Sequence, residues 1–342
     1  MAVPIWKDYS VTLGNGAAYD YEIRLDTAAG TLIYSGRAYK RPGAASVVIR
    51  INDVCAAYLA EVLPTLNVPA GFTGFAVQQT FVVLADISGV WTTMDTIDFY
   101  NDWSYDYGFD PSLQPLADPI NGELDPRQHL VISTLPVADL TAVLTFEDGT
   151  TMSVVIQIAR SADFNDDFND DFSVQDTSAH GGAAVLDLSP YTGLVSVSIG
   201  GVDYKVRDNA CAKYALYYTN AYGGWDSFLI DGIDRRVDGL VRHTMNKDYD
   251  NSDMDARGRE DYAIEVVPTW ELHTGLLTDD QSSRMRHLIE STDVFLCELA
   301  TGDVVPVVLT DAECEHKTYR GSGRQMNTYT ITAQLAQQQV RR

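Results

Sequence analysis

Tyr19-Asp20-Tyr21-Glu22-Ile23-Arg24-Leu25 places apolar side chains at every odd position and charged ones at every even position. A period of two sends successive side chains to opposite faces, so this stretch predicts a β-strand with one face buried and one in water. Gly14-Asn15-Gly16 before it and Ala28-Ala29-Gly30 after it are turn chemistry, since Gly and Asn tolerate positive φ. Working outward, residues 10–13, 31–35 and 46–51 predict further short strands. Asn52-Asp53-Val54-Cys55-Ala56-Ala57-Tyr58-Leu59-Ala60 offers an Asn/Asp cap and apolar residues at helical spacing, ending before Pro64, and predicts one short helix. Strands follow at 77–84 and, with a weaker pattern, at 89–93.

The segment 98–125 sets Tyr100, Trp103, Tyr105, Tyr107 and Phe109 among Asp, Asn and Gly with no clean period, and predicts a long loop. Strands resume at 129–133, 140–146 and 152–158, with Glu147-Asp148-Gly149 as a hairpin turn. Asp163-Phe164-Asn165-Asp166-Asp167-Phe168-Asn169-Asp170-Asp171-Phe172 repeats phenylalanine every four residues among carboxylates and suits a linker. Strands are expected at 183–188, 194–199, 213–219 and 225–230, and a polar surface loop at 243–261. In the last hundred residues a strand at 262–272 precedes Thr278-Asp279-Asp280-Gln281, a capping box opening a helix through Met285, Leu288 and Ile289. Strands at 294–299, 304–309, 313–319 and 328–335 follow, with turns at Thr301-Gly302-Asp303 and Gly321-Ser322-Gly323. The expected fold is mainly β: two or three antiparallel β-sandwich-like modules, at 1–90 and 91–175, and a C-terminal α+β unit at 176–342 carrying one helix.

The 342 residues hold 24 Lys+Arg against 48 Asp+Glu, a formal charge of −24. Such a surface repels phosphate backbones and anionic lipid, so neither nucleic acid nor membrane is an expected partner. The first 200 residues carry 8 basic and 25 acidic side chains, the remainder 16 and 23, so the second part has the more mixed surface for docking. The opening Met1-Ala2-Val3-Pro4-Ile5-Trp6-Lys7-Asp8 has no basic and apolar signal pattern, and no apolar run is long enough to span a bilayer. Cys55, Cys211, Cys297 and Cys314 are scattered, without a CxxC, and read as thiols of a protein made in a reducing compartment.

No GxSxG, GxxxxGK[ST], GxGxxG or HExxH pattern occurs, and the six histidines show no paired spacing. The sequence therefore predicts assembly or binding rather than catalysis, with no cofactor. A glycoside hydrolase would need two carboxylates facing one cleft, which spacing alone does not reveal. Asp163, Asp166, Asp167, Asp170 and Asp171 form a dense oxygen set suited to calcium, although without EF-hand spacing. Asp248 to Asp255 starts like an ion loop, but Asp253 and Arg259 stand where glycine and glutamate are needed. Aromatic rings dominate protein interfaces and stack on sugars, which makes Trp103, Tyr105, Tyr107, Tyr222 and Trp225 the candidate contact residues.

The run Tyr217-Tyr218-Thr219-Asn220-Ala221-Tyr222-Gly223-Gly224-Trp225-Asp226-Ser227-Phe228 resembles the strand, Asn-x-Tyr-Gly-Gly turn and strand of tail-associated proteins from phages and prophages of Bacteroidetes-type gut bacteria. Trp270 to Thr278, His287 to Leu296 and Tyr329 to Ala336 are similar to the strand, helix and strands that follow in that group. The likeness covers residues 210–342 and, more loosely, Ile5 to Asp8 and Ile33 to Tyr39. It implies a virion structural protein of the tail tip, baseplate or collar, assembled in the bacterial cytoplasm with copies of itself and other phage tail proteins. Host-surface glycan binding is the alternative it leaves open. It carries over no catalytic residues.

Overall fold

A computed structural model describes residues 3–62, 78–104, 115–135, 140–156, 158–160, 182–208, 211–246, 259–310, 327–336 and 339–341. The chain is mainly β, with several sheets and two helices among these residues. It separates into two compact units built from non-consecutive segments: residues 1–119, 129–204 and 220–226 in the first, 120–128, 205–219 and 227–342 in the second. The expected boundaries at 90 and 175 ran along the chain, whereas short return segments belong to distant partners. Residues 220–226 join the first unit because Trp103 and Ser104 N–H both donate to Ala221 O (2.8 and 2.9 Å) and Trp225 N–H donates to Ser133 Oγ (3.0 Å). Residues 120–128 join the second, where Ile120 O accepts from Arg284 Nη1 (2.9 Å) and Arg127 Nη2 donates to Ala212 O (3.1 Å).

The first unit opens with β1 (Val3–Pro4), β2 (Ser10–Gly14), β3 (Ala18–Leu25), β4 (Leu32–Tyr39), β5 (Val47–Arg50), α1 (Asn52–Val62), β6 (Gln78–Ile87) and β7 (Val90–Tyr100). One sheet runs β1-β7-β6-β3-β4, antiparallel except for the β1–β7 pair, and β2 pairs with β5. The alternation that predicted β3 is realised in part: Ile23 is buried, Tyr19, Tyr21 and Leu25 pack partly against the core and Asp20 is exposed, but Glu22 and Arg24 on the charged face are half-buried and pair with each other (2.6 Å). Val11, Leu13, Ile49, Cys55, Leu59, Phe81, Val83 and Phe99 share one hydrophobic cluster. Burial of each large member contributes roughly 1.5–3 kcal/mol. Residue 90, an expected boundary, lies in the β6–β7 hairpin, whose turn holds Ser88 and Gly89 at φ 60 and 85 as a two-residue turn of this hand requires. Asn52 does not serve as the expected helix cap. Its Oδ1 accepts from Tyr9 N–H (2.7 Å) and its Nδ2 donates to Ile5 O and Lys7 O (2.8 and 2.6 Å), while Cys55 N–H donates to Ile51 O in the first helical turn.

Next come β8 (Gly122–Leu124), which belongs to the second unit, and then β9 (His129–Thr134), β10 (Leu140–Phe146), β11 (Thr151–Ile156), β12 (Ile158–Arg160), β13 (Gly182–Asp187), β14 (Leu194–Ile199) and β15 (Val202–Val206). They form the runs β11-β10-β14-β15 and β12-β13-β9. The Glu147-Asp148-Gly149 turn forms as expected, with Gly149 at φ 80 and Thr150 N–H and hydroxyl donating to Asp148 Oδ1 (2.9 and 2.6 Å).

The second unit contains β16 (Tyr214–Thr219), β17 (Trp225–Ile230, entering from the first unit), β18 (Asp234–Asn246), β19 (Arg259–His273), α2 (Asp279–Ile289), β20 (Val294–Glu298), β21 (Val304–Leu309), β22 (Thr330–Leu335) and β23 (Gln339–Arg341). The sheet order is β17-β16-β20-β21-β22-β19-β18, with β23 also on β19. This is the expected helix packed on an antiparallel sheet. Met285 and Leu288 of α2 share a core with Leu216, Phe228, Trp270 and Leu296. The capping box is present in both directions: Gln281 N–H donates to Thr278 Oγ1 (3.2 Å) and Thr278 N–H to Gln281 Oε1 (2.9 Å). The expected strand at 313–319 and the turn at Gly321-Ser322-Gly323 lie outside the described residues.

Candidate assembly surface

The surface loop expected at 243–261 is instead, at both its ends, strand. His243 pairs with Ala263 and Met245 with Glu260, so all 13 residues of β18 pair along residues 259–272 of β19, with a bulge between His243 and Thr244. At about 3.3 Å per residue β18 runs for roughly 40 Å. The alternation that reveals β3 is missing here because β18 buries almost nothing: every residue from Arg235 to Arg242 is exposed. Leu240 is 56% exposed, Val241 48%, Met245 41% and, across the pair, Tyr262 56%.

β18 is the last strand of its sheet, so one row of its backbone N–H and C=O groups has no strand partner among the described residues. Such a row is a template for pairing with another chain. Short edge strands, prolines, charged side chains and bulges usually blunt it; β18 is long and contains neither Pro nor Lys, and its protection is limited to Arg and Asp side chains and the bulge near its end. Its charges instead form local exposed pairs: Arg236 Nε with Asp238 Oδ1 (3.1 Å), Arg242 Nη1 with Asp261 Oδ2 (2.8 Å) and Arg235 Nη1 with Glu271 Oε2 (3.3 Å). Exposed pairs of this kind are each worth well under about 1 kcal/mol and exchange partners at little cost. Arg236 also lies over the Trp270 ring, 5.4 Å from its centroid.

The aromatic candidates divide. Trp225 is 1% exposed and Tyr222 8%, so both rings lie within the protein rather than on its surface. Trp103 is half-buried, and Tyr105 and Tyr107 lie outside the described residues. What organises the Asn220 to Gly224 turn is polar. Asn220, wholly buried, accepts at Oδ1 from Tyr222 and Gly224 N–H (3.0 and 3.1 Å) and donates from Nδ2 to Leu116 O (3.0 Å). Gly223 sits at φ 82, a left-handed turn conformation that glycine adopts without strain.

Asp163, Asp166, Asp167, Asp170 and Asp171, the calcium candidates, lie outside the described residues, as does the stretch from Asp248 to Asp255. Among the described residues no three His, Cys, Asp or Glu side chains form a metal-sized group. A shallow pocket of about 20 Å³ in the second unit, beside Gly122, Phe228, Leu276, Gln281 and Arg284, has room for about one water. Arg284, 2% exposed, anchors its wall by donating to Ile120 O and Ser227 O (2.9 and 3.2 Å). Burial pushes the Cys55 thiol up to about 12 and the Cys297 thiol up to about 11, which leaves exposed Cys211 as the accessible thiol among those described. Cys314 lies outside the described residues. No helix described is long and apolar enough to cross a membrane.

Sequence reasoning missed β18 because its residues carry charges on both faces and no burial period. The available signal was the length of the run from Asp234, with Val237, Leu240, Val241 and Met245 among its charges and no proline before Pro268 on the return strand. No protein-family model matches the chain, and no curated protein matches its sequence.

Proposed function

We propose that this chain is a virion structural protein of a phage tail, in the tail tip, baseplate or collar, that assembles with copies of itself and with other tail proteins. The observation that supports assembly is the exposed β18 edge, 13 residues long with Leu240, Val241 and Met245 in solvent. The phage-tail setting rests on the resemblance carried by Tyr217 to Phe228 and the segments after it. In this reading the protein is not an enzyme, needs no cofactor, and is built into the virion in the bacterial cytoplasm. Glycan binding ranks behind assembly, because the buried Tyr222 and Trp225 rings offer no face to a sugar.

Native mass spectrometry of the purified chain, alone and mixed with the products of neighbouring genes, tests this. The expected result is a defined oligomer or a stoichiometric complex with a tail component. A chain that stays monomeric and binds none of those products overturns the reading.

A further inference from the structure

Resting on that self-assembly reading, we infer that β18 pairs with β18 of a second copy, antiparallel, about a two-fold axis through Leu240. Isologous pairing matches a surface to itself, so a strand suited to it must be self-complementary when reversed. Reversing Asp234-Arg235-Arg236-Val237-Asp238-Gly239-Leu240-Val241-Arg242-His243-Thr244-Met245-Asn246 about Leu240 sets Asp238 opposite Arg242 twice, once on each side of the axis. Leu240 meets Leu240 of the partner strand between these charge pairs, on the same face. The remaining opposed positions are Val237 with His243, Gly239 with Val241, Arg236 with Thr244, Arg235 with Met245 and Asp234 with Asn246. No like charges face one another.

Neighbouring registers lack this match. Centring on Gly239 opposes Arg236 to Arg242, centring on Asp238 or Arg242 opposes a charge to itself, and centring on Val241 pairs no opposite charges. Centring on Val237 also opposes Arg236 to Asp238 twice, but it joins only residues 234–240. Directly opposed unlike charges stabilise an antiparallel pair and like charges destabilise it, so charge together with the overlap of all 13 residues selects the Leu240 register. The groups involved are available. Asp238 and Arg242 side chains are 48% and 56% exposed, and their present partners, Arg236 and Asp261, are themselves exposed. Pairing would also hide Leu240, 56% exposed in the single chain, and satisfy the outward backbone row of β18.

Directly opposed Cα atoms in an antiparallel pair lie about 4.5–5.5 Å apart, within the range a disulfide spans. The test uses the full chain with Cys211→Ser and Cys314→Ser, which remove the accessible and the undescribed thiol. Leu240→Cys in this background is expected to form a covalent dimer on mild oxidation. Val241→Cys, which points to the other face and opposes Gly239, is expected to cross-link far more slowly. Without cysteine changes, Asp238→Arg or Arg242→Asp alone is expected to weaken dimerisation about tenfold, since each reverses both symmetric pairs, and the double exchange to restore it. Sedimentation or light scattering reads the dimer, and circular dichroism confirms that each variant folds.

If the wild-type chain associates but Leu240→Cys does not cross-link and the charge reversals change nothing, the β18 pairing is overturned while self-assembly stands. If the wild-type chain remains a monomer at the highest concentration reached, both the pairing and self-assembly fall.

Discussion

Asn220 and Leu116, separated by 104 positions, are joined by a 3.0 Å hydrogen bond from Asn220 Nδ2 to the Leu116 carbonyl, wholly inside the first unit. The same side chain accepts from Tyr222 and Gly224 N–H, so one amide both shapes its own turn and ties that turn to a distant segment. Asn220→Ala leaves two backbone N–H groups and one carbonyl without this partner. The expected loss is about 3 kcal/mol of stability, since each buried group so stranded costs about 1–3 kcal/mol. Urea unfolding followed by tryptophan fluorescence measures it. A loss under about 1 kcal/mol would mean that water replaces the amide.

Gly224 and Gly201 separate close approach from backbone conformation. A Cβ on Gly224 would stand 1.9 Å from Leu116 O, whereas one on Gly201 meets nothing within 4 Å and suffers only from its φ of 86. Gly201→Ala is expected to cost about 1–2 kcal/mol. Gly224→Ala is expected to cost clearly more, over about 3 kcal/mol, because backbone on one side must move. Thermal unfolding of the two variants side by side gives the order, and equal losses would refute the steric account.

Asp102 supplies a pH dependence. Burial raises its carboxyl above the ordinary 3.8, opposed by the hydrogen bonds from Ser104 and Tyr100. A carboxyl whose pKa is higher folded than unfolded holds its proton more tightly when folded. The stabilisation is full below pH 3.8 and is lost as pH rises through the folded value. Asp102→Asn keeps the shape without the charge. Its stability relative to the wild type is therefore expected to increase as pH is raised from below 3.8 and then to level off, read from urea midpoints across the pH series. A flat difference would show that burial does not penalise the carboxylate.

The parts of this protein legible in its sequence are those closed within one turn or one strand. The capping box links Thr278 to Gln281, three residues on, and needs only helix geometry, so the start of α2 followed from local pattern alone. The β3 alternation and the glycine turns at Gly149, Gly223 and Gly302 are likewise local, since a pleat or a positive φ belongs to a few neighbouring residues.

Tertiary structure decided the rest. Asn52 has the chemistry of a cap, but its amide is used by the loop at Ile5 to Tyr9, more than 40 residues away. Tyr222 and Trp225 have the look of contact residues, yet neighbours brought from 90 to 120 positions earlier in the chain surround their turn and leave the rings inside. Local spacing fixes which hydrogen bonds a residue is able to make. Only the folded chain decides which of those groups is nearest, and hence that Asn220 faces Leu116 while Leu240 faces water.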